Sequence, residues 1–428
     1  MSALSRDRGA ARGGAANRLL AFDTNLRRRP DYWILAAVIG LCLIGLVMVY
    51  SASYAAVLSD PKLASNPAAF ALRHLQSLLL GCVFLVIFTV VPYPFWRRIS
   101  VPAMAFTLLL LAFVLFAPAS LSPDLNGAHR WLALGISFQP SELCKLVLVL
   151  YLADWLSQKG RRVRNLTYGL IPFGIVMGVV AFLVIREPDM GTTIVLLVIG
   201  VTIFFIAGAH LIHFLASMVM GGSVFVLLVF AESYRGSRVT AFLHPELDPT
   251  GVGYHIIQSQ MALGSGGIFG QGLGAGRQKF GWLPEQFTDT IFSVIGQEWG
   301  FLGALVLLAL FALFIFRGTR TALRARDSYG TLIAVGITAW IGVQALINIG
   351  SVSSAIPFTG VTLPFVSFGG SSLAVTMAAV GLLLNISRYS ITPRSAPPQP
   401  PRRRRFTPLA RLRRARPRPT EIEEAGVW

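Results

Sequence analysis

Two carboxylates, Glu285 and Asp289, stand four residues apart in Gly281-Trp282-Leu283-Pro284-Glu285-Gln286-Phe287-Thr288-Asp289-Thr290-Ile291-Phe292, where a long polar region gives way to an apolar run. A carboxylate at the mouth of a membrane bundle is costly and needs a reason to be there, and general-base chemistry is one. The pair would share a helix face if the following helix began early, but Pro284 argues that Glu285 precedes or only opens that helix. One carboxylate acting as general base is the economical reading.

Cationic groups suited to an anionic substrate are scattered elsewhere. In Gln139-Pro140-Ser141-Glu142-Leu143-Cys144-Lys145, Glu142 and Lys145 are three apart on one helix face, inside an apolar segment where an ionisable group costs a few kcal/mol or more. Either they form a buried ion pair that fixes packing, or Lys145 faces a cavity and holds an anion. Arg186-Glu187-Pro188-Asp189-Met190-Gly191-Thr192 interrupts an apolar stretch so briefly that a tight helical hairpin must form, with Arg186 either compensated by its acidic neighbours or free for substrate. Arg130 follows Asn126-Gly127-Ala128-His129, and Arg238 lies in the turn-rich segment Arg235-Gly236-Ser237-Arg238.

Glycines mark two further stretches. Gly264 to Gly276 holds seven glycines in thirteen residues, yet it lacks the Gly-Lys-Ser/Thr ending and preceding strand of a nucleotide-binding loop. Plain flexibility, or amides brought close to a phosphate, remain as readings. Ser367, Gly369, Gly370 and Ser371, before the last apolar run, permit either close helix packing or an anion at a helix start.

The elements that must position these groups are membrane helices. The 428 residues are 54% hydrophobic and only 13% charged, with mean hydropathy +0.65, against about 25% charged in soluble domains. Ten apolar runs approach the roughly 20 residues needed to cross a bilayer: 32–52, 74–94, 99–118, 140–157, 168–186, 190–208, 210–231, 289–316, 328–350 and 363–386. The expected fold is an all-α polytopic membrane protein, with one large extracellular loop, about 232–288, between the seventh and eighth helices. A short interfacial helix is expected over 254–263 within that loop.

The net charge of +18 does not point to nucleic acid, because the basic residues sit in the tails and alternate loops. With both termini cytoplasmic, 28 of the 37 Lys and Arg fall on the inner side, including Arg97 and Arg98, the 159–164 cluster and the 317–326 cluster. Arg27-Arg28-Arg29-Pro30 would also attract anionic membrane lipid. Residues 1–31 are a basic cytoplasmic tail leading into an uncleaved anchor, and 389–428 are a disordered basic tail by composition. Cys42, Cys82 and Cys144 show no paired spacing and read as packing residues. In this topology the fourth, sixth, eighth and tenth helices all begin at the outer face. Their positive ends, with Lys145, Arg186 and Arg238 nearby, make an anion-friendly cavity that suits a lipid-linked phosphate or pyrophosphate.

At these residues the chain resembles the SEDS family of bacterial cell-wall proteins (FtsW, RodA, SpoVE) over roughly 30–390. The resemblance is carried in order by Asn126-Gly127-Ala128 with Arg130-Trp131, Gln139-Pro140-Ser141-Glu142 with Lys145, and Glu187-Pro188-Asp189 with Gly191-Thr192. Leu283-Pro284-Glu285 with Thr288-Asp289, and Leu363-Pro364-Phe365 with Ser367 and Gly369-Gly370-Ser371-Ser372, complete it. It implies a peptidoglycan glycosyltransferase domain over 32–388 that polymerises lipid II on the outer face of the bacterial cytoplasmic membrane beside a class B penicillin-binding protein. The family's proposed catalytic acidic residue falls on Asp289. Lys145, Arg186, Glu142, Arg130, Arg238, Glu285, Ser367, Gly369, Gly370 and Ser371 are the implied substrate contacts. No cofactor is implied with certainty, though a Mg or Mn ion is compatible.

Arg277-Gln278-Lys279-Phe280 and Val361-Thr362-Leu363-Pro364 resemble the FtsW and SpoVE branch. Departures are Phe287 for a usual His, Thr290 for Phe, Gln297 for Glu and Phe368 for Tyr, which puts supporting roles at 287 and 297 in question. A lipid II flippase and a non-catalytic scaffold are the competing functional classes.

Overall fold

Apolar runs surrounded by hydrocarbon must satisfy their own backbone groups, which favours helices, and the computed structural model is predominantly helical. It describes residues 29–59, 66–118, 121–122, 130–133, 137–230, 233–251 and 253–389. The expected tails, apart from 29–31 and 389, and the stretch Asn126 to His129 lie outside the described residues. Twelve described helices follow one another: α1 (Tyr32–Ser59), α2 (Ala69–Val90), α3 (Tyr93–Phe116), α4 (Pro140–Lys159), α5 (Ile171–Arg186), α6 (Met190–Ile206), α7 (Leu211–Phe230), α8 (Ser233–Leu243), α9 (Tyr254–Ser265), α10 (Ile291–Leu323), α11 (Ser328–Val352) and α12 (Gly370–Arg388). A two-residue antiparallel ladder joins β1 (Leu132–Ala133) to β2 (Ser137–Phe138).

Each of the ten apolar runs lies mainly on one helix among α1 to α7 and α10 to α12, except that 363–369 of the tenth form a loop before α12, where Phe365 takes φ +66° and the Ser367 hydroxyl accepts from Leu363 N–H; the architecture is that of an all-α polytopic membrane protein. Seven spans, carried by α1, α2, α3, α5, α10, α11 and α12, are long and apolar enough to cross a bilayer. Helix α4 is interrupted by Glu142, Lys145, Asp154 and Lys159, while α6 and the apolar part of α7 are shorter. Ten is therefore the number of helices on these runs, not an established number of crossings.

Helices α11 and α12 form the centre, with 72% and 89% of their apolar windows buried, whereas α2 turns most of its surface outward. Close approach is built into α12: a Cβ on Gly381 would lie 2.4 Å from the Leu85 carbonyl oxygen of α2. A small residue there lets two backbones touch.

Three local expectations change. Arg97 and Arg98, expected in a loop, lie inside α3, because Pro92 starts that helix directly after α2. Arg97 Nε then donates to Asp154 of α4 at 2.7 Å, and the Ser100 hydroxyl donates to the same carboxylate at 2.9 Å. Arg235 to Arg238, expected in turns, are helical in α8, an amphipathic segment too polar to stand out as an apolar run.

The third change concerns α10. Read as one run over 289–316, it begins at Ile291, extends to Leu323 and is broken at Gly300, where φ is +68°. The break frees backbone groups, and the glycine-rich loop takes them up. Gln271 and Gly272 N–H donate to the Gln297 and Glu298 carbonyls at 3.0 Å each, while Phe301 and Leu302 N–H donate to the Gly267 and Ile268 carbonyls at 2.9 and 3.1 Å. Irregular backbone is tolerated in such a fold when protein pairs it. These loop amides and carbonyls are thus committed to α10, which corrects both the flexible and the phosphate-cradling readings.

Candidate active site

Asp289 sits at the end of a knotted turn immediately before α10. Glu285 adopts φ +48° at its centre, and its carbonyl accepts from Thr288 N–H at 3.1 Å and Thr290 N–H at 3.2 Å. The Thr290 hydroxyl donates to the Pro284 carbonyl at 2.8 Å, and the Thr288 hydroxyl donates to the Glu285 carboxylate at 2.8 Å. Because α10 starts only at Ile291, Glu285 and Asp289 do not share a helix face.

Three successive carbonyls of this turn are each held from outside it. Phe368 N–H donates to Phe287 O at 2.8 Å, the Ser367 hydroxyl to Thr288 O at 2.6 Å, and the Asn348 amide to Asp289 O at 2.7 Å. The same Asn348 nitrogen reaches Val361 O at 2.6 Å. Asn348 is fully buried in α11, and nothing in its sequence neighbourhood marks it. Asn348→Leu would leave two buried carbonyls without a donor, at about 1–3 kcal/mol each. It is expected to lower kcat about 10²-fold with a much smaller change in KM, as displacement of a positioned group does. Steady-state kinetics on folded variant would show the split, and equal effects on both parameters would assign Asn348 to substrate binding instead.

The charges around Asp289 come from three other places. Burial raises its carboxyl to about 8, helped by Glu285 and Asp189 and opposed by Arg238 and Arg130. Asp189 caps α6 by accepting from Thr192 N–H at 2.9 Å, and its other oxygen accepts from the Gln139 amide at 3.1 Å. Arg130 donates to the Glu187 and Pro188 carbonyls at 2.8 and 2.7 Å, stitching the β1 side to the α5–α6 turn. The starts of α4, α6, α10 and α12 thereby converge at one end of the bundle.

Beside them lie two groups that the sequence reading did not single out as functional. Glu187 is wholly buried, neither carboxyl oxygen has a hydrogen-bond partner, and burial raises its pKa to about 9, with Asp189 adding to the rise. His255 of α9 stacks on Phe358 at 5.2 Å, and burial and Arg238 lower its pKa, against the opposing pull of Glu285.

The remaining expected contacts separate. Lys145 is 1% exposed, with Nζ 2.7 Å from Glu142 and donating at 3.0 Å to Gln344, whose amide in turn donates to Thr362 O at 3.0 Å. The pair with Glu142 thus lies under the 362–368 loop. Arg186 is exposed, its guanidinium 5.9 Å from the Phe182 ring, with no ion pair to Glu187 or Asp189. Gly369 and Gly370 open α12, and Ser371, in its first turn, has a buried hydroxyl without a partner. Ser367 spends its hydroxyl on backbone, accepting from Leu363 N–H at 2.8 Å as well as donating to Thr288.

Two of the departures noted above turn out to be neighbours. Phe287 and Phe368 meet edge to face at 5.7 Å, and Phe70 of α2 packs on them at 4.8 and 5.6 Å. Polar groups expected at both positions are replaced together by a half-buried aromatic wall beside the Asp289 turn. Among the described residues, no three His, Cys, Asp or Glu side chains gather as a metal site.

The profile of the FtsW/RodA/SpoVE family, described as cell cycle proteins, matches residues 32–392. A probable peptidoglycan glycosyltransferase FtsW of Trichlorobacter lovleyi is 41% identical over 83% of this chain and 93% of its own. The stage V sporulation protein E of Bacillus subtilis is 43% identical over 86% and 99%. Among solved structures, a chain from a peptidoglycan synthase complex that coordinates polymerization and crosslinking superposes with TM-score 0.67 at 28% identity, covering 84% of this chain and 98% of that one. The rod shape determining protein RodA of Thermus thermophilus superposes with TM-score 0.63 at 28% identity, covering 85% and 98%. This chain belongs to the FtsW/RodA/SpoVE family.

Proposed function

We propose that the protein is a peptidoglycan glycosyltransferase that polymerises lipid II into glycan strands for division or cell shape, with Asp289 as general base. The observation that carries this reading is the part-buried Asp289 carboxyl, held by three clamped carbonyls where four helix starts converge. Asp289 takes the proton from the 4-hydroxyl of the acceptor sugar as that oxygen bonds to the anomeric carbon of the donor. The bond from that carbon to the diphosphate oxygen breaks, and undecaprenyl diphosphate leaves. A positioned base of this kind contributes about 10²–10⁴ in rate.

Arg186, exposed and without an ion pair, and Arg130 and Arg238 beside Asp289 are assigned to the diphosphate, whose growing charge they stabilise. Ser371 with the Gly369–Gly370 start of α12 adds a hydroxyl and positive helix end. Lys145 and Glu142 act from beneath, through Gln344, by holding the loop that clamps the catalytic turn. A divalent cation, if used, arrives with the diphosphate, and no step here depends on it. The site faces outward, both termini are cytoplasmic, and a class B penicillin-binding protein is the expected partner, as the resemblance to a chain of a peptidoglycan synthase complex supports.

The pH dependence follows from the raised carboxyl. The base works only when ionised, so activity is expected to climb about tenfold per pH unit below about 8 and to level above it. Stability runs the other way, because a raised folded-state value favours the protonated form: the contribution is full below the ordinary carboxylate range and lost as pH rises through about 8. A pH–rate profile with lipid II checks the first, and a lower limb near pH 4 would remove Asp289 from the role of base. The function itself is tested by glycan formation from lipid II in liposomes, with and without the penicillin-binding partner. No product with partner present and lipid II flipping intact would favour the flippase.

A further inference from the structure

At the end of the bundle opposite Asp289, a cavity of about 280 Å³ is lined by Arg29, Asp31, Trp33, Arg317, Arg320 and Arg324, among others. It lies where α1 begins and α10 ends. Along α10, from Ile291 to its first lining residue Arg317, it is separated from the Asp289 turn by roughly 40 Å of helix broken once at Gly300. Arg317 is spoken for: its guanidinium forms a two-pronged pair with Asp31, Nε at 2.9 Å and Nη2 at 2.5 Å from the same oxygen. Asp31 is anchored in turn, its N–H donating to Ser387 of α12 at 3.1 Å. Arg29, Arg320 and Arg324 have no acidic partner among the described residues. Four arginines and one aspartate leave three net positive charges around a small, preformed hollow.

We propose that this cavity binds the phosphate head group of an anionic glycerophospholipid of the inner leaflet. Two features select a lipid over a soluble anion. Tyr32 and Trp33 at the rim are 57% and 58% exposed, the placement of aromatic side chains that rest at a membrane interface. Above them along the same helices, Ile39, Leu43 and Val47 of α1 and Phe316 of α10 are exposed apolar surface, so acyl chains leaving the hollow meet hydrocarbon-compatible side chains. A basic hollow between membrane helices on the cytoplasmic side is the arrangement that takes lipid phosphates. The volume is also small for a drug-sized or nucleotide-sized ligand. The side assignment rests on the inward topology proposed above, while the binding itself does not depend on catalysis.

The test uses full-length protein in nanodiscs of phosphatidylcholine containing a few per cent phosphatidylglycerol or cardiolipin, with retained anionic lipid measured by native mass spectrometry. Arg320→Gln and Arg324→Gln are each expected to weaken retention about fivefold, the effect of one arginine near a charged surface, and the pair multiplicatively. Arg320→Lys should recover most of it. Arg161→Gln with Arg162→Gln, which removes equal charge away from the cavity, should leave retention unchanged. Equal retention in the wild type and the Arg320/Arg324 variant overturns the proposal, and so does equal loss in the Arg161/Arg162 control. Displacement by soluble glycerol phosphate at concentrations comparable to the lipid would reassign the hollow to a free anion. Lys and Gln variants that keep the wild-type melting temperature in pure phosphatidylcholine separate loss of binding from loss of fold.

Discussion

Asp289→Asn is expected to lower lipid II polymerisation by at least 10²-fold, approaching complete loss, while the protein stays folded and still binds its penicillin-binding partner. The amide keeps the shape of the carboxyl and leaves the clamp on the Asp289 carbonyl untouched, because Asn348 grips the backbone and not the side chain. Only the capacity to accept a proton is removed, and a general base is worth about 10²–10⁴. The same change should raise the melting temperature at pH above 8, since it deletes a charge that the surroundings disfavour. A gel assay of glycan length alongside thermal unfolding across pH reads both effects. Glu285→Gln, by contrast, alters an exposed group bonded to Thr288 and should cost far less. Wild-type product from Asp289→Asn, with loss from Glu285→Gln, would transfer the role to Glu285; equal product from both would favour a scaffold.

The second large effect is one of stability. Lys279 Nζ lies 2.7 Å from Glu298 and donates at 2.9 Å to the Ser51 hydroxyl, which also donates to Glu298 at 2.8 Å. Both charges are at most 1% exposed. Lys279→Met strands the Glu298 carboxylate in the interior, and breaking one side of a buried pair costs about 3–5 kcal/mol. The melting temperature is expected to fall by roughly 5–15 °C. Adding Glu298→Gln should return most of that loss, because the orphan charge is gone. A double-mutant cycle by thermal unfolding measures the coupling, and additive single effects would mean that the two charges do not act as a pair.

Much of the architecture was readable because membrane helices advertise themselves: every apolar run landed mainly on a helix, with 363–369 the stretch that stayed a loop, and the α5–α6 hairpin and the short helix α9 appeared where spacing put them. The convergence of four helix starts was also foreseeable from topology alone. Legibility ended where contacts span long separations. Asn348 is 59 residues from Asp289, and Ser51 is 228 from Lys279, and neither carries a local signature. The break at Gly300 was invisible because Trp299-Gly300-Phe301 reads as continuing apolar sequence, and its compensation comes from a loop thirty residues upstream. The pairing of Phe287 with Phe368 was hidden for the same reason: two separate oddities in the chain are one compensated contact in space.

The break in α10 has a mechanical meaning. Ile291 to Trp299 is a stiff rod roughly 13 Å long, with the Asp289 turn at one end and the Gly300 swivel at the other. The glycine-rich loop grips the swivel by four backbone hydrogen bonds, two on each side. Tied on both sides, the break holds a set angle: the loop fixes how the rod meets the rest of α10, while Asn348, Ser367 and Phe368 hold the turn at its far end.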